Sequence, residues 1–274
     1  MMQSQIILPS APLRPFVHHY WTMQADGNTM ELNIMPVGCM KWMFHRGRPF
    51  AVNGIFDAGN YASVCGQYDM AAHVGMQGHT DLIFVFFRPY AMKMVTGIQC
   101  DKLNNANIDM DDLELPEFHR LKQMVADTTD NASAIRIIED FIAGRLAHQD
   151  DSGYLKQFEA IYHAMELRPD LSLASMAETA CMSERQLRRV FMEHIGLAPK
   201  HMMRIHRYLA ASRAIQQMDS RDFTDIVYRL GFTDHSHLYK EFKMVAGMSP
   251  TDYLGHVESL KSHNLIRGYR TYHK

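Results

Sequence analysis

Between residues 171 and 254, one pattern of apolar and polar positions occurs twice. In each copy a short amphipathic helix leads into a tight turn, a capping residue follows, and a second helix begins. Ser183 and Asp234 are the capping residues, and the second helices are expected to end at Gly196 and Gly247. A proline lies three residues after each of these glycines. This order predicts two helix-turn-helix units in one domain.

The second helix of each unit has an apolar face and a polar face. The apolar positions recur at helical spacing and are expected to point into the core. They are Leu187, Val190 and Phe191 in the first unit and Leu238, Phe242 and Val245 in the second. A solvated helix face would have a similar polar side, but two copies in register favour a surface that contacts bases and phosphates in a major groove. The candidate DNA-binding residues are Ser183, Arg185, Arg188, Arg189, His235, Ser236, Tyr239, Lys240 and Lys243.

The segment between the two units contains neither Pro nor Gly from residue 200 to Met218, which predicts one uninterrupted helix. A helix of about 19 residues would be about 28 Å long, and one turn of DNA measures about 34 Å. Such a helix can hold two DNA-contacting helices in successive major grooves on one side of the duplex.

Residues 155–258 resemble the DNA-binding domain of the arabinose-operon-regulator (AraC/XylS) family of bacterial transcription factors. The residues that carry the resemblance are Ser183, Leu187, Arg189, Phe191, Gly196, Pro199, Ile226, Gly231, Phe232, Ser236, Phe242, Lys243, Gly247, Ser249, Pro250 and Tyr253. Departures from the usual pattern occur at His206, Val227, His237 and Leu238 and leave the spacing intact. The resemblance implies an all-α domain of seven helices whose two polar faces contact bases. For Arg189 it also leaves open a contact with the DNA backbone or with a neighbouring acidic side chain.

The first 100 residues alternate short apolar segments with turn formers, which predicts a small barrel or sandwich. The predicted strands are 31–35, 40–45, 50–53, 63–67, 72–76 and 81–88, and the predicted helices that follow are 90–96, 112–127 and 132–147. The last helix has an apolar stripe that fits either the barrel or a second subunit. In the AraC/XylS resemblance this half corresponds to a cupin-like sensing domain whose helices often dimerise.

We therefore expect an α+β chain in three parts. Residues 1–150 form a cupin-like β-barrel with helices and serve sensing or dimerisation, 155–258 form the AraC-type DNA-binding domain, and 259–274 form a C-terminal tail. Residues 155–274 contain 17 Lys and Arg against 13 Asp and Glu, whereas residues 1–154 contain 11 against 17. The mildly basic C-terminal half suits DNA, and its small excess of charge predicts weak non-specific binding.

The N-terminal half lacks the combination of His-x-His and carboxylate that a catalytic cupin uses to hold a metal. His18 and His19 are adjacent, so on a strand they are expected to point to opposite faces. The four cysteines are far apart and are expected to be reduced and buried. The start of the sequence has no secretion signal, and the apolar run 82–87 is too short to span a bilayer. We expect no catalytic residues, metal, cofactor or membrane partner, and a cytoplasmic location.

The sequence predicts a sequence-specific DNA-binding transcription regulator controlled by a small-molecule effector. Its partners are double-stranded promoter or operator DNA, with RNA polymerase, an effector and a second copy of the chain as further candidates. A pocket for the effector would be lined by methionines with Trp42, Phe44, Phe84 and Phe86, although core packing also explains these residues. One alternative is a constitutive regulator whose N-terminal half only binds protein. Another is an enzyme or repair protein with the same DNA-binding module, which the wide cysteine spacing disfavours.

Overall fold

The computed structural model describes residues 2–26, 30–34, 37–46, 50–52, 55–56, 62–68, 72–76, 79–147, 151–218 and 222–255. The strands are β1 (Met2–Ile7), β2 (Val17–Ala25), β3 (Met30–Ile34), β4 (Lys41–His45), β5 (Phe50–Val52), β6 (Ile55–Phe56), β7 (Ala62–Cys65), β8 (Ala72–Met76), β9 (Thr80–Phe87) and β10 (Asn107–Asp109). The helices are α1 (Ala91–Thr96), α2 (Pro116–Ala126), α3 (Asn131–Ala147), α4 (Leu155–Leu167), α5 (Leu173–Thr179), α6 (Glu184–Ile195), α7 (Pro199–Gln216), α8 (Thr224–Arg229) and α9 (His235–Ala246). A helical segment at 250–255 follows α9.

The strands form two antiparallel sheets. One has the order β1-β2-β9-β4-β7-β10, and the other has the order β3-β8-β5-β6. Two antiparallel sheets followed by helices confirm the predicted α+β class. The sequence left open a barrel or a sandwich. The described strands form two separate hydrogen-bonded sheets and not one closed sheet.

The predicted strand segments coincide with β3, β4, β5, β7, β8 and β9, while β1, β2, β6 and β10 were missed. In β2 the burial order is irregular because residues on both faces are covered, so the sequence VHHYWTMQA shows no simple alternation. The edge strand β1 is largely polar, and β10 has only three residues. Predicted strand residues 35 and 53 and the predicted tail 259–274 lie outside the described residues.

One face of the six-stranded sheet packs against helices. The ring of Trp42 in β4 lies 4.8 Å from Phe87, 5.4 Å from Phe118 in α2 and 6.0 Å from Phe141 in α3, between ring centroids. The apolar stripe of α3 is buried in the same core, for example at Ile138. The stripe therefore packs on the sheet of its own subunit, which answers the alternative that the sequence left open.

This core continues from the sheet through α1 to α6 and into the first half of α7. A separate core surrounds the second helix-turn-helix unit and includes Tyr208, Phe242 and Tyr253. The first unit is thus packed together with the N-terminal half, whereas the second is packed on the far end of α7.

Three expectations about individual side chains need correction. His18 and His19 do not point apart, because the strand register shifts between Val17 and His19 and brings their Nδ1 atoms to 2.7 Å. Cys181 is exposed because it occupies a surface turn, whereas Cys65 and Cys100 are buried as expected. Trp42 and Phe44 belong to the helix-facing core, and Phe84 and Phe86 line the opposite face of the sheet.

Buried imidazoles should make the protein sensitive to acid. Burial, with the charge of Arg213 as a smaller cause, lowers the pKa of His206 to about 4. The unfolded imidazole takes up a proton near pH 6.5 and the folded one does not. Above about pH 6.5 the imidazole is neutral in both states, and the free energy of unfolding is highest. As the pH falls towards 4, protonation of the unfolded state lowers this free energy.

We expect the free energy of unfolding in urea to fall by about 1 kcal/mol per pH unit between about pH 6 and 4.5 on account of His206. The variant His206→Gln should lack this part of the slope. Equal slopes in the two proteins would contradict the assignment.

Candidate DNA-binding site

The first helix-turn-helix unit consists of α5, a turn and α6. The side chain of Ser183 accepts a hydrogen bond from the backbone N–H of Gln186 at 3.2 Å and so caps α6. Gly196 ends the helix in the left-handed conformation, with φ of 82°. In the turn, Cys181 has φ of 53°, which a non-glycine residue seldom adopts.

The second unit, α8, a turn and α9, repeats this construction. The carboxylate of Asp234 accepts from the backbone N–H of His237 at 2.7 Å, and Gly247 ends α9 with φ of 71°. Gly231, with φ of 68°, occupies the position in the turn that Cys181 occupies in the first unit. The predicted duplication, both capping residues and both helix ends are therefore confirmed.

The predicted separation of faces on α6 is also confirmed. Leu187, Val190 and Phe191 are fully buried, while all three arginines are exposed. The guanidinium of Arg188 donates to Glu184 at 2.9 Å, and that of Arg189 lies 3.5 Å from Glu193. Arg185 has no ion pair with any described residue. The three arginines thus differ in how freely they can turn to a new anionic partner.

On α9 the outer face consists of exposed His235, Ser236, Lys240 and Lys243. The Nε2 atom of His235 lies 3.3 Å from the hydroxyl of Thr224. Tyr239 differs from its neighbours, because it is half-buried and its hydroxyl lies 2.6 Å from that of Thr251. Its ring packs 6.1 Å from Phe223, so Tyr239 also braces α9 against α8.

The long helix α7 connects the two units without interruption, as predicted. Its 18 residues correspond to a length of about 27 Å. The ring of Tyr208 in α7 lies 4.8 Å from Phe242 in α9, and Arg204 donates to Glu241 at 3.0 Å. These contacts hold α9 against the middle of α7, while Pro199 begins the helix shortly after the end of α6.

A contact that the sequence did not predict joins the first unit to the N-terminal half. The ammonium of Lys93 in α1 donates to Glu193 in α6 at 2.6 Å, with the two side chains 14% and 26% exposed. Glu193 is also the partner of Arg189. Asn104 donates through its side-chain amide to the carbonyl of Gly196, where α6 ends. The pairs are about a hundred residues apart in sequence, so no local pattern could indicate them.

The described residues offer neither a metal site nor a membrane-spanning helix. Within the described ranges, no group of three or more His, Cys, Asp and Glu side chains is arranged to hold a metal ion. In the same part of the chain, no helix combines the length and apolar character needed to cross a membrane.

Parts of this chain are similar to known families and proteins. Residues 176–256 match a family model described as a helix-turn-helix domain, and residues 5–109 match one described as a domain of unknown function (DUF6597). The XylDLEGF operon transcriptional activator of Pseudomonas putida is 27% identical over 158 residues, 52% of this chain and 49% of the relative. The transcriptional activator RhaS of Enterobacter sp. (strain 638) is 30% identical over 83 residues, 30% of each chain.

Among solved structures, ToxT from Vibrio cholerae covers 93% of this chain and 98% of its own, with a TM-score of 0.46 and 12% identity. This chain spans about half the length of the Pseudomonas relative in the sequence match.

Two capped helix-turn-helix units on one connecting helix define a domain of the double helix-turn-helix class. The similarity to the AraC/XylS family therefore includes residues 176–256, and both relatives are transcriptional activators by name.

The contact between Lys93 and Glu193 should stabilise the folded chain. The hydrogen bond that Glu193 accepts from Lys93 is the main reason why the pKa of the Glu193 carboxyl is lowered. Because the pair is partly buried, we expect a double-mutant cycle with Lys93→Met and Glu193→Gln to give a coupling energy of about 1 kcal/mol in urea unfolding. The exposed pair of Arg229 and Asp225 within α8 is a matched control, and no measurable coupling is expected there. Equal coupling in the two cycles would contradict this assignment.

Proposed function

We propose that this chain is a sequence-specific transcription regulator that contacts two elements of one DNA site, one with α6 and the other with α9. The observation that carries the proposal is the repetition of one capped turn that presents an exposed cationic helix in each of the two units joined by α7. A length of about 27 Å suits successive major grooves on one side of the duplex.

In the first unit, the arginines are assigned to bases and phosphates. Guanidinium groups favour O6 and N7 of guanine, so this element of the site should contain G. Arg185 is available without the loss of an ion pair among the described residues. Arg188 and Arg189 must leave glutamates of their own helix, which costs little because exposed ion pairs are weak. Ser183 caps the helix end, where backbone N–H groups suit a phosphate.

In the second unit, His235, Ser236 and Lys240 are assigned to base edges, and Lys243 is assigned to the DNA backbone. The first three belong to the first turns of α9, the part of a recognition helix that enters the groove. Tyr239 is kept as a candidate phosphate or thymine contact through the part of its ring that is exposed. Its hydroxyl would then be shared with Thr251.

Residues 1–150 are assigned to effector sensing, 155–258 to DNA binding and 259–274 to a tail. Small-molecule control would act through the packing of the N-terminal half on α6, since Glu193 has Lys93 on one side and Arg189 on the other. A second copy of the chain and RNA polymerase are the proposed protein partners, and the cytoplasm is the proposed location.

Selection of genomic DNA fragments by the full-length protein, followed by sequencing, tests the proposal. We expect a motif with two elements about one helical turn apart. Arg188→Ala should relax one element and Lys240→Ala the other, each by about 1–3 kcal/mol of base discrimination. Lys102→Ala removes an exposed charge from the N-terminal half and should leave the motif unchanged. Enrichment without a motif, or relaxation of the same element by both variants, would overturn it.

A pair of glycine substitutions in α7 tests whether a rigid connecting helix is needed for DNA binding. Ala210→Gly with Ala214→Gly should reduce affinity for the two-element site by about tenfold or more, because the two helices lose their fixed spacing. Ala160→Gly with Ala164→Gly in α4 is the matched control. Each glycine costs about 1 kcal/mol of helix stability in either pair. The proposal predicts similar unfolding midpoints and unequal DNA affinities, and equal DNA affinities would contradict it.

A further inference from the structure

The face of the six-stranded sheet that points away from the helices carries polar groups that the DNA-binding function does not use. Strand register places five residues in one row across this face. In strand order they are His19, Phe86, Lys41, Cys65 and Asn107. The ring of His19 stacks on Phe86 at 4.6 Å, and the thiol of Cys65 lies 3.2 Å from the Oδ1 atom of Asn107. Lys41 is the middle residue of this row.

Lys41 is a buried cation without an anionic partner among the described residues. The residue is only 7% exposed, and its Nζ atom lies 5.9 Å from the ring centroids of Tyr68, Phe84 and Phe86. Aromatic rings attract a cation, but they leave the three N–H donors of an ammonium without a lone pair to bond. The surroundings therefore accommodate the charge of Lys41 without completing its hydrogen bonds.

A second cation lies at the same end of the sheet. Arg88 follows β9 directly, and the only hydrogen bond of its Nε atom in the described structure goes to the carbonyl of Arg14 at 3.4 Å. Asp81 lies at the opposite end of β9 and is bonded to Arg46 at 3.1 Å. The end of the inner face that holds Lys41 therefore has an excess of positive charge among the described residues.

Other buried groups on this face also lack hydrogen-bond partners in the part of the chain that the structure describes. Gln67 is fully buried, and neither its amide nitrogen nor its amide oxygen has a hydrogen-bond partner in the described structure. Backbone pairing continues from β7 to Gln67, since Asn105 N–H donates to the Gln67 carbonyl at 2.8 Å, and so Gln67 shares the face of Cys65. The indole N–H of Trp21, whose ring stacks on Phe84, is likewise buried without a partner. Buried groups of this kind are usually satisfied, so a shared ligand would account for them.

The rest of the face is apolar. Met23, Met43, Leu82 and Phe84 form one buried cluster with Cys65 and Phe86, and Trp21, Val37, Cys39 and Tyr68 pack against it. A surface with a cation at one end and thioethers and rings along its length suits an elongated molecule of matching polarity.

We propose that the inner face of the six-stranded sheet binds an organic anion with an apolar body, whose anionic group pairs with Lys41. Gln67 and the indole N–H of Trp21 supply further hydrogen bonds to its polar atoms. The inference names the chemical class of the effector and in that respect rests on the proposed regulatory function.

Two fluorescent dyes of the same shape test the charge requirement on the full-length protein. The anion 8-anilinonaphthalene-1-sulfonate and its uncharged counterpart N-phenyl-1-naphthylamine are titrated separately. We expect the anion to bind about tenfold more tightly or better, as a charge-assisted hydrogen bond implies. Equal affinities, or no binding of the anion, would overturn the proposal on the wild-type protein alone.

Variants then assign the preference to one side chain. Lys41→Met keeps the apolar stem and should abolish the preference for the anion while the affinity for the uncharged dye stays within about twofold. Lys41→Arg should retain the preference, and so should Lys102→Met, which removes an exposed charge elsewhere in the N-terminal half. The thermal unfolding midpoint of Lys41→Met should not fall below that of the wild type, because a buried charge has been removed. A preference that survives Lys41→Met would overturn the assignment.

A further measurement separates failure of the anion site from failure of the proposed regulatory function. The affinity for the selected DNA fragment is measured with and without saturating anionic dye. A charge preference that depends on Lys41, together with DNA affinity that the dye leaves unchanged, supports the site and removes effector control. Intact DNA binding with equal dye affinities removes the site and leaves the DNA-binding function standing.

Discussion

The packing of the first helix-turn-helix unit on the N-terminal half depends on the surroundings of one ring, that of Phe158 in α4. It is 1% exposed and stacks on Tyr90 from the N-terminal half at 5.4 Å. It also lies 5.9 Å from Phe191 and 5.4 Å from His194, both on the inner side of α6. Because protein interiors are close-packed, α6 cannot move relative to the sheet without disturbing this cluster. The ion pair of Lys93 and Glu193 lies beside the cluster. Apolar packing holds α1 and α6 together, and the ion pair favours one orientation of the two helices.

The two helix-turn-helix units have similar backbones but pack in different hydrophobic cores. The first shares its core with the sheet, and the second has a core of its own at the far end of α7. The N-terminal half also reaches α7 directly, since a Cβ atom added at Gly38 would lie 3.3 Å from Ile205 and 3.5 Å from Met202. Among the described contacts, α7 is therefore one route by which a change in the N-terminal half reaches α9. Rigidity of that helix is what would make the two DNA contacts interdependent.

Local periodicity explains which features could be predicted. The stripes of α6 and α9, their caps and the continuity of α7 are all visible within about twenty residues of sequence, and each is present in the structure. The pairing of Lys93 with Glu193 depends on the meeting of α1 and α6, which no local pattern specifies. The missed strand β2 is buried on both faces, and its bulge at Val17 and His19 reversed the expected orientation of an imidazole. Errors thus arise where tertiary contacts override the strand period.

The two faces of the six-stranded sheet have opposite chemistry, although they belong to the same strands. In β4, Trp42 and Phe44 pack among helices, while Lys41 and Met43 alternate with them on the other side. Stability alone would favour an apolar residue at Lys41, since a buried ammonium surrounded by rings loses its hydration. A buried charge that lowers the stability of the fold is expected at a functional site. In the proposed function, the helix-facing side links the sheet to α6, and the inner side binds the molecule that changes this link.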